Sequence, residues 1–163
     1  MHIRFEDRFK IMEWRNDQIY HLRQVEKLTA TKQTNYFKNV INIQKEEDKP
    51  DQVLFSLLKN KDVKAYGVFV HINWLEKTAE LSFVMDTIEE KNNFNIYWDI
   101  FLKLIDKVVI DIKYIDTLNT YAFDLRPSLY KTLEKNNFTF LKNDIYYKNG
   151  NRLNVKIHQK NFK

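Results

Sequence analysis

The sequence predicts an α+β (α/β) fold, a mixed and mostly antiparallel sheet of about seven strands with helices on both faces. Three observations carry that reading. Three short apolar runs follow one another between Val53 and Asp86, separated only by polar turns, as in an antiparallel meander. Between Phe94 and Ile112 apolar residues then return at helical spacing, in a stretch long enough to cross the sheet and enter a parallel strand. Last, Phe138 to Tyr147 and Leu153 to His158 flank Lys148-Asn149-Gly150-Asn151, a turn sequence that joins antiparallel strands.

Taken in order, Ile3 to Phe5 form a first short strand. Phe5, Phe9 and Met12 recur at helical spacing, and Glu13-Trp14-Arg15-Asn16-Asp17 closes that helix with turn-favouring residues. Thr31 caps a second helix with Tyr36, Phe37, Val40 and Ile41 on one stripe, which dissolves into the charged, solvated run from Lys45 to Lys49. Val53 to Leu58 is a strand, and Asn60-Lys61-Asp62 turns into a hairpin over Ala65 to Thr87 with a polar break at Leu75-Glu76-Lys77-Thr78. On its second strand Ala79, Leu81, Phe83 and Met85 share one face, and Glu80, Ser82, Val84 and Asp86 the other. Asn92 or Asn93 caps the next helix, which turns Phe94, Trp98, Phe101, Ile105, Val108 and Ile112 inward. Tyr114 to Tyr121 is a strand that pairs in parallel with the one at Ala79. Pro127 starts a helix with Leu129, Tyr130 and Leu133 on its apolar face, and Asn136-Asn137 ends it in left-handed backbone.

No repeat, linker or composition shift divides the chain, so one domain over residues 1–163 is expected, and 44% hydrophobic residues suffice for its core. There is no cysteine, which excludes disulfides, thiolate metal sites and a cysteine nucleophile. The first residues carry charges every second or third position, unlike a secretory signal, and no run reaches membrane-spanning length, so a soluble, cytoplasmic protein is expected. The net charge of +5 comes from scattered lysines among 22 acids, without a basic block that would mark a nucleic-acid surface. The histidines His2, His21, His71 and His158 show no metal-ligand spacing, and no metal is expected.

The order of elements resembles that of the GNAT superfamily of acetyl-coenzyme A dependent N-acetyltransferases, and several segments resemble its ribosomal-protein and amino-sugar acetyltransferase branch. These are Glu13-Trp14-Arg15-Asn16-Asp17, Ala79-Glu80-Leu81-Ser82-Phe83, Leu133-Glu134-Lys135-Asn136-Asn137-Phe138, where Asn137 replaces the family's glycine, and the closing hairpin from Lys148 to His158. Two departures stand beside them. The superfamily's Gln/Arg-x-x-Gly-x-Gly/Ala loop, whose amides hold the coenzyme A pyrophosphate, here reads Thr87-Ile88-Glu89-Glu90-Lys91-Asn92-Asn93-Phe94, without glycine. Leu133 stands where many members carry the tyrosine that protonates the leaving thiolate, with Tyr130 one helical turn earlier.

The resemblance implies transfer of an acetyl group from acetyl-CoA to a primary amine, with Glu80 as general base. From pattern alone Glu80 also reads as a solvent-facing carboxylate, and Tyr130 as either the proton donor or a packing residue. The cofactor is expected along Phe83, Val84 and Met85, with its pyrophosphate at Lys91, Asn92, Asn93 and Phe94 and a further contact from Arg126. The acceptor cleft is expected to be walled by Trp14, Arg15, Asn16 and Arg23, although Trp14 can equally be core and Arg15 paired with an acid. An aromatic face with guanidinium groups suits a small phosphorylated or acidic amine, such as a nucleotide-linked amino sugar. An N-terminal protein acetyltransferase and a non-catalytic binding module of the same fold remain open. The expected partner is a small-molecule amine, with neither nucleic acid nor membrane, and a homodimer is left open.

Overall fold

The computed structural model describes residues 2–162. The chain starts on the rim of the sheet, where His2 bridges Phe55 and the Ile3 amide donates to the Leu54 carbonyl at 3.1 Å. It then leaves that edge at once. Arg4 Nε and Nη2 donate to both Asp7 carboxylate oxygens, at 2.6 and 2.7 Å, and a tight turn forms over Phe5–Asp7. The expected strand at residues 3–5 does not form, and the one bridge lies before it at His2, because the Arg4–Asp7 fork bends the backbone before a ladder can grow.

Helix α1 (Arg8–Asp17) buries Ile11 and Trp14, while Phe9 is 38% exposed and stacks under the Arg8 guanidinium rather than facing the core. Thr29, not Thr31, caps α2 (Ala30–Tyr36), accepting from the Lys32 amide at 3.2 Å, and a wider turn over Phe37–Ile41 leads into α3 (Asn42–Gln44). Strand β1 (Val53–Lys59) folds back on β2 (Asp62–Asn73) through Asn60 and Lys61, both in left-handed backbone (φ 52° and 70°), the geometry of a two-residue hairpin turn. A second turn at residues 74–77 returns the chain as β3 (Thr78–Met85).

Helix α4 (Thr87–Ile112) crosses one face of the sheet and leads into β4 (Thr117–Phe123), which lies parallel to β3. Helix α5 (Pro127–Lys135) opens on its proline and closes at Asn137 (φ 65°), as its sequence dictates. Strands β5 (Thr139–Lys148) and β6 (Asn151–Asn161) complete a six-stranded sheet in the order β1-β2-β3-β4-β6-β5, all neighbours antiparallel except β3 and β4. The fold class is the expected one, with six strands in place of about seven.

Alternation along β3 separates two cores. Ala79, Leu81, Phe83 and Met85 pack with Trp98, Phe101, Leu102 and Ile105 of α4 and Leu129 and Leu133 of α5. Val84, with Tyr66 and Val68 of β2, packs on the other face against Ile11, Trp14, Phe37 and Ile41. The close approach of α4 depends on Gly67, where a Cβ would lie 2.0 Å from Phe101 Cζ. At the far edge β5 pairs only with β6 and leaves Phe140 49%, Leu141 49%, Ile145 43% and Tyr147 68% exposed. Among the described residues no helix is long and apolar enough to cross a membrane.

Candidate active site

Strands β3 and β4 pair over only four positions, from Thr78 with Thr117 to Leu81 with Thr120, and run on to Met85 and Phe123 without pairing with each other, each still held by its outer neighbour. Parallel strands that separate in this way leave backbone N–H and C=O groups along the gap. Glu80 sits just before the separation, between Val70 of β2 and Asn119 of β4. Its side chain reaches into a cavity of about 240 Å³ whose walls include Arg15, His21, Arg23, Tyr66, His71 and Tyr121.

A loop sequence that folds back on α1 brings Arg23 there. Asn16 at the end of α1 donates to the Leu28 carbonyl at 2.9 Å and accepts from the Leu28 amide at 2.7 Å and from Gln24 Nε2 at 3.0 Å, which fixes the path of residues 22–28. Arg23 then lies 4.2 Å over the Tyr121 ring, donates from Nη2 to Glu80 Oε1 and approaches His71 Nε2 at 3.4 Å. Burial pushes the Glu80 carboxyl above its ordinary pKa, against the opposing pull of Arg23 and His71. A carboxylate that is hard to hydrate and close to a cavity is suited to taking a proton from a bound amine.

At the open end of the gap a directed chain of hydrogen bonds crosses from α5 to β3. Arg126, which has only donors, gives Nη2 to His21 Nδ1 at 3.2 Å. The His21 proton is thereby assigned to Nε2, which faces Gln18 Oε1 at 3.2 Å, and Gln18 Nε2 donates to the Met85 carbonyl at 2.7 Å. Burial, with Arg126 beside it, pushes the His21 pKa down to about 3, so the ring is neutral. Arg126 also lies 4.8 Å over Phe94 and 3.5 Å from Glu90 Oε1, and burial lowers its own pKa against the pull of Glu90.

The helix end differs from the expectation. Asp86 caps the first turn of α4, ahead of the expected start at Asn92 or Asn93, and its carboxylate accepts from the Ile88 amide at 2.9 Å and the Glu89 amide at 3.4 Å. Asn93 has non-helical backbone (φ −132°, ψ 22°) and divides α4 into two helical segments joined at a kink, so that a helix does begin where the apolar periodicity places one, with the Asn93 side chain donating to Glu89 Oε2 at 2.6 Å. A side-chain carboxylate already occupies the first free amides, and Glu89 and Glu90 add negative charge beside them.

Coenzyme A therefore fits this chain in one respect and not in another. The run at residues 82–85, paired with β2 on one side and free of β4 on the other, and the Arg126 cation offer contacts to an amide-bearing arm and its phosphates, while the Ile88 and Glu89 amides at the start of α4 are taken by Asp86. Of the residues expected to hold it, Phe83, Val84 and Met85 line the separation by their backbone, with the Met85 carbonyl engaged by Gln18, and Arg126 and Phe94 stack at its mouth. Lys91 and Asn92 are exposed on α4.

Among the acceptor residues, Arg15 and Arg23 line the cavity. Trp14 is 5% exposed in the core beside Ile11, so it offers no face to a ligand. Asn16 spends its amide on the 22–28 loop. Tyr130 is not on the cavity wall: its hydroxyl donates to Asp124 Oδ1 at 2.9 Å, its ring stacks 5.2 Å from His158, and burial together with Asp124 raises its pKa. Sequence reasoning missed Gln18, Tyr66 and His71, which are brought in by α1 and β2; Gln18 carried one signal, a polar residue directly after the turn at the end of the first helix. A larger cavity, about 400 Å³, lies beside β1 and the end of β2, under Trp74 and Tyr114.

Fold and strand separation define the chain as a protein of the GNAT fold. An N-acetyltransferase from Staphylococcus aureus Mu50 superposes with a TM-score of 0.77 over 100% of this chain and 97% of its own, at 19% identity. The ribosomal L7/L12 alpha-N-protein acetyltransferase RimL, solved in complex with coenzyme A, gives 0.81 over 98% and 91% at 11% identity. The microcin C7 self immunity acetyltransferase MccE, solved with acetyl-CoA and AMP, gives 0.79 over 99% and 91% at 12% identity. No protein-family model matches the sequence, and no curated protein matches it.

Proposed function

We propose that the chain is an N-acetyltransferase that acetylates a small primary amine bearing an acidic group. The observation that carries this reading is the position of Glu80, a carboxylate with raised pKa in a cavity beside the point where β3 and β4 part. Acetyl-CoA, when bound along the separated strands, supplies an acetyl thioester. Glu80 receives the proton that the acceptor nitrogen must lose, and the cavity shields that nitrogen from bulk water. Arg15 and Arg23 outnumber the single acid on the wall, which favours an anionic substituent on the acceptor over a polyamine. A nucleotide-linked amino sugar remains within that class, without the stacking surface that Trp14 was expected to give it.

A second reading has its own support. The carboxylate cap on α4 is an arrangement that disfavours phosphate, as expected of a non-catalytic module that kept the fold. Calorimetric titration with acetyl-CoA, coenzyme A and desulfo-coenzyme A separates the two. The transferase reading expects saturable binding of acetyl-CoA and release of free thiol in the presence of an acidic amine. Heats indistinguishable from dilution for all three ligands would leave the binding module.

A further inference from the structure

Beside the cavity at Glu80 lies a second space of about 340 Å³, and Arg15, Tyr66, Val68 and Val70 line both. Its depth is apolar, formed by Ile11, Leu28, Phe37 and Leu54 with the two valines. The polar groups around it have partners: Arg15 Nη1 donates to the Tyr66 hydroxyl at 3.2 Å, the Tyr36 hydroxyl to Gln52 Oε1 at 2.9 Å, and Gln33 Nε2 to the Arg8 carbonyl at 3.1 Å, while Lys32 on its rim is exposed and lies 3.5 Å from Glu26 Oε2. Whatever enters must be polar at one end and apolar at the other.

We propose that the two adjoining spaces together bind an α-amino acid with a large apolar side chain, and that this is the acceptor; the second clause rests on the transferase reading of Glu80. Glu80 and Arg23 lie side by side on the wall as an acid and a base in contact. An α-amino acid carries the complementary pair, an amine and a carboxylate on one carbon. On entry its nitrogen takes the place of Arg23 at Glu80, and its carboxylate takes the place of Glu80 at the guanidinium, so that both protein charges stay paired. The side chain then points away from the charged wall, past Val68 and Val70, into the apolar space. A polyamine brings cations beside Arg15 and Arg23 and gives those residues no partner. A sugar brings hydroxyls to a space whose polar groups are already satisfied. Burial of a phenylalanine or leucine side chain is worth roughly a tenfold to hundredfold gain over glycine.

The test titrates the full chain, without acetyl-CoA, against L-phenylalanine, L-leucine, glycine, phenethylamine, 3-phenylpropionate and spermidine. Phenylalanine and leucine are expected to bind at least tenfold more tightly than glycine, and phenylalanine more tightly than either analogue that lacks one charge. Leu28→Glu, a change on a half-buried loop residue, is expected to weaken phenylalanine and spare glycine. Arg23→Gln should weaken phenylalanine and tighten phenethylamine, whose nitrogen then reaches Glu80 without displacing a guanidinium. The ligand series on the unaltered protein is decisive by itself, so failure of either variant to fold does not change the outcome. Equal binding of glycine and phenylalanine, or preference for spermidine or phenethylamine, overturns the inference. Thiol release from acetyl-CoA, measured with the same compounds, keeps the two readings apart. Release with a peptide or polyamine, and no amino-acid binding, overturns the inference and keeps the transferase; phenylalanine binding without release keeps the site and removes the transferase.

Discussion

Glu80 is held between opposing influences, loss of water that raises its pKa and the charges of Arg23 and His71 that lower it, and the first prevails. If the carboxylate is the base, kcat/KM should rise with pH along a limb whose midpoint lies above the ordinary 4.5 of a glutamate. Glu80→Gln should remove that limb and lower kcat roughly a hundredfold or more, with acetyl-CoA affinity unchanged in calorimetry. A variant of normal rate would return Glu80 to a structural ion pair with Arg23. Strand alternation made the face of Glu80 legible in the sequence, since a period of two allows no other placement once Leu81 is inside. Its partner was not legible as such, because Arg23 is 57 positions away and reaches it through a loop fixed by Asn16. Trp14, Arg15 and Asn16 show the same limit. They share the last turn of one helix, yet the first enters the core, the second lines the cavity and the third binds the loop. Composition told what they carry, and only the packing of α1 against β2 and β3 told where each points.

At the scale of elements the start of α4 governs anion binding. Apolar periodicity begins at Phe94, which points to a helix start at Asn92 or Asn93. The structure has a helical segment start there, beyond the kink at Asn93, and adds another ahead of it from Thr87, because Asp86 is a strong cap and Glu89 follows it at the spacing of a capping box. The signal is present in the residues, but it lies outside the apolar pattern that marks the helix. The consequence is an acid, Glu90, in contact with the cation at the cleft mouth, Arg126. Glu90→Gln should therefore tighten coenzyme A binding, and Arg126→Gln should weaken it, each by several-fold at low salt and less at high salt. Titrations at two ionic strengths check this; a neutral outcome for both variants would put the phosphates elsewhere.

For the molecule as a whole, the chain from Arg126 through His21 and Gln18 to Met85 ties the start of α5, the segment after α1 and the end of β3 together. His21 must be neutral to accept from Arg126. Its pKa in the fold, about 3, lies below the ordinary 6.5, so the unfolded chain binds the proton more readily. The stability that neutral His21 confers is complete above pH 6.5 and is lost as the pH falls from there toward 3. Denaturant unfolding at a series of pH values should show wild type losing on the order of 2–4 kcal/mol more than His21→Gln across that window. Parallel curves for the two proteins would mean that the ring escapes into water before it is charged. The outermost strand has a different consequence, for behaviour in a crowded solution. β5 exposes apolar side chains along a ladder edge with no neighbour among the described residues, and its middle is Lys142, Asn143 and Asp144, beside a register shift between Phe140 and Lys142. Opposite charges at the centre of such an edge resist the docking of another strand while doing little for the fold itself. Lys142→Val with Asp144→Val should leave the unfolding midpoint close to wild type, yet raise light scattering and thioflavin binding on storage, turning a clear solution into one that seeds fibrils.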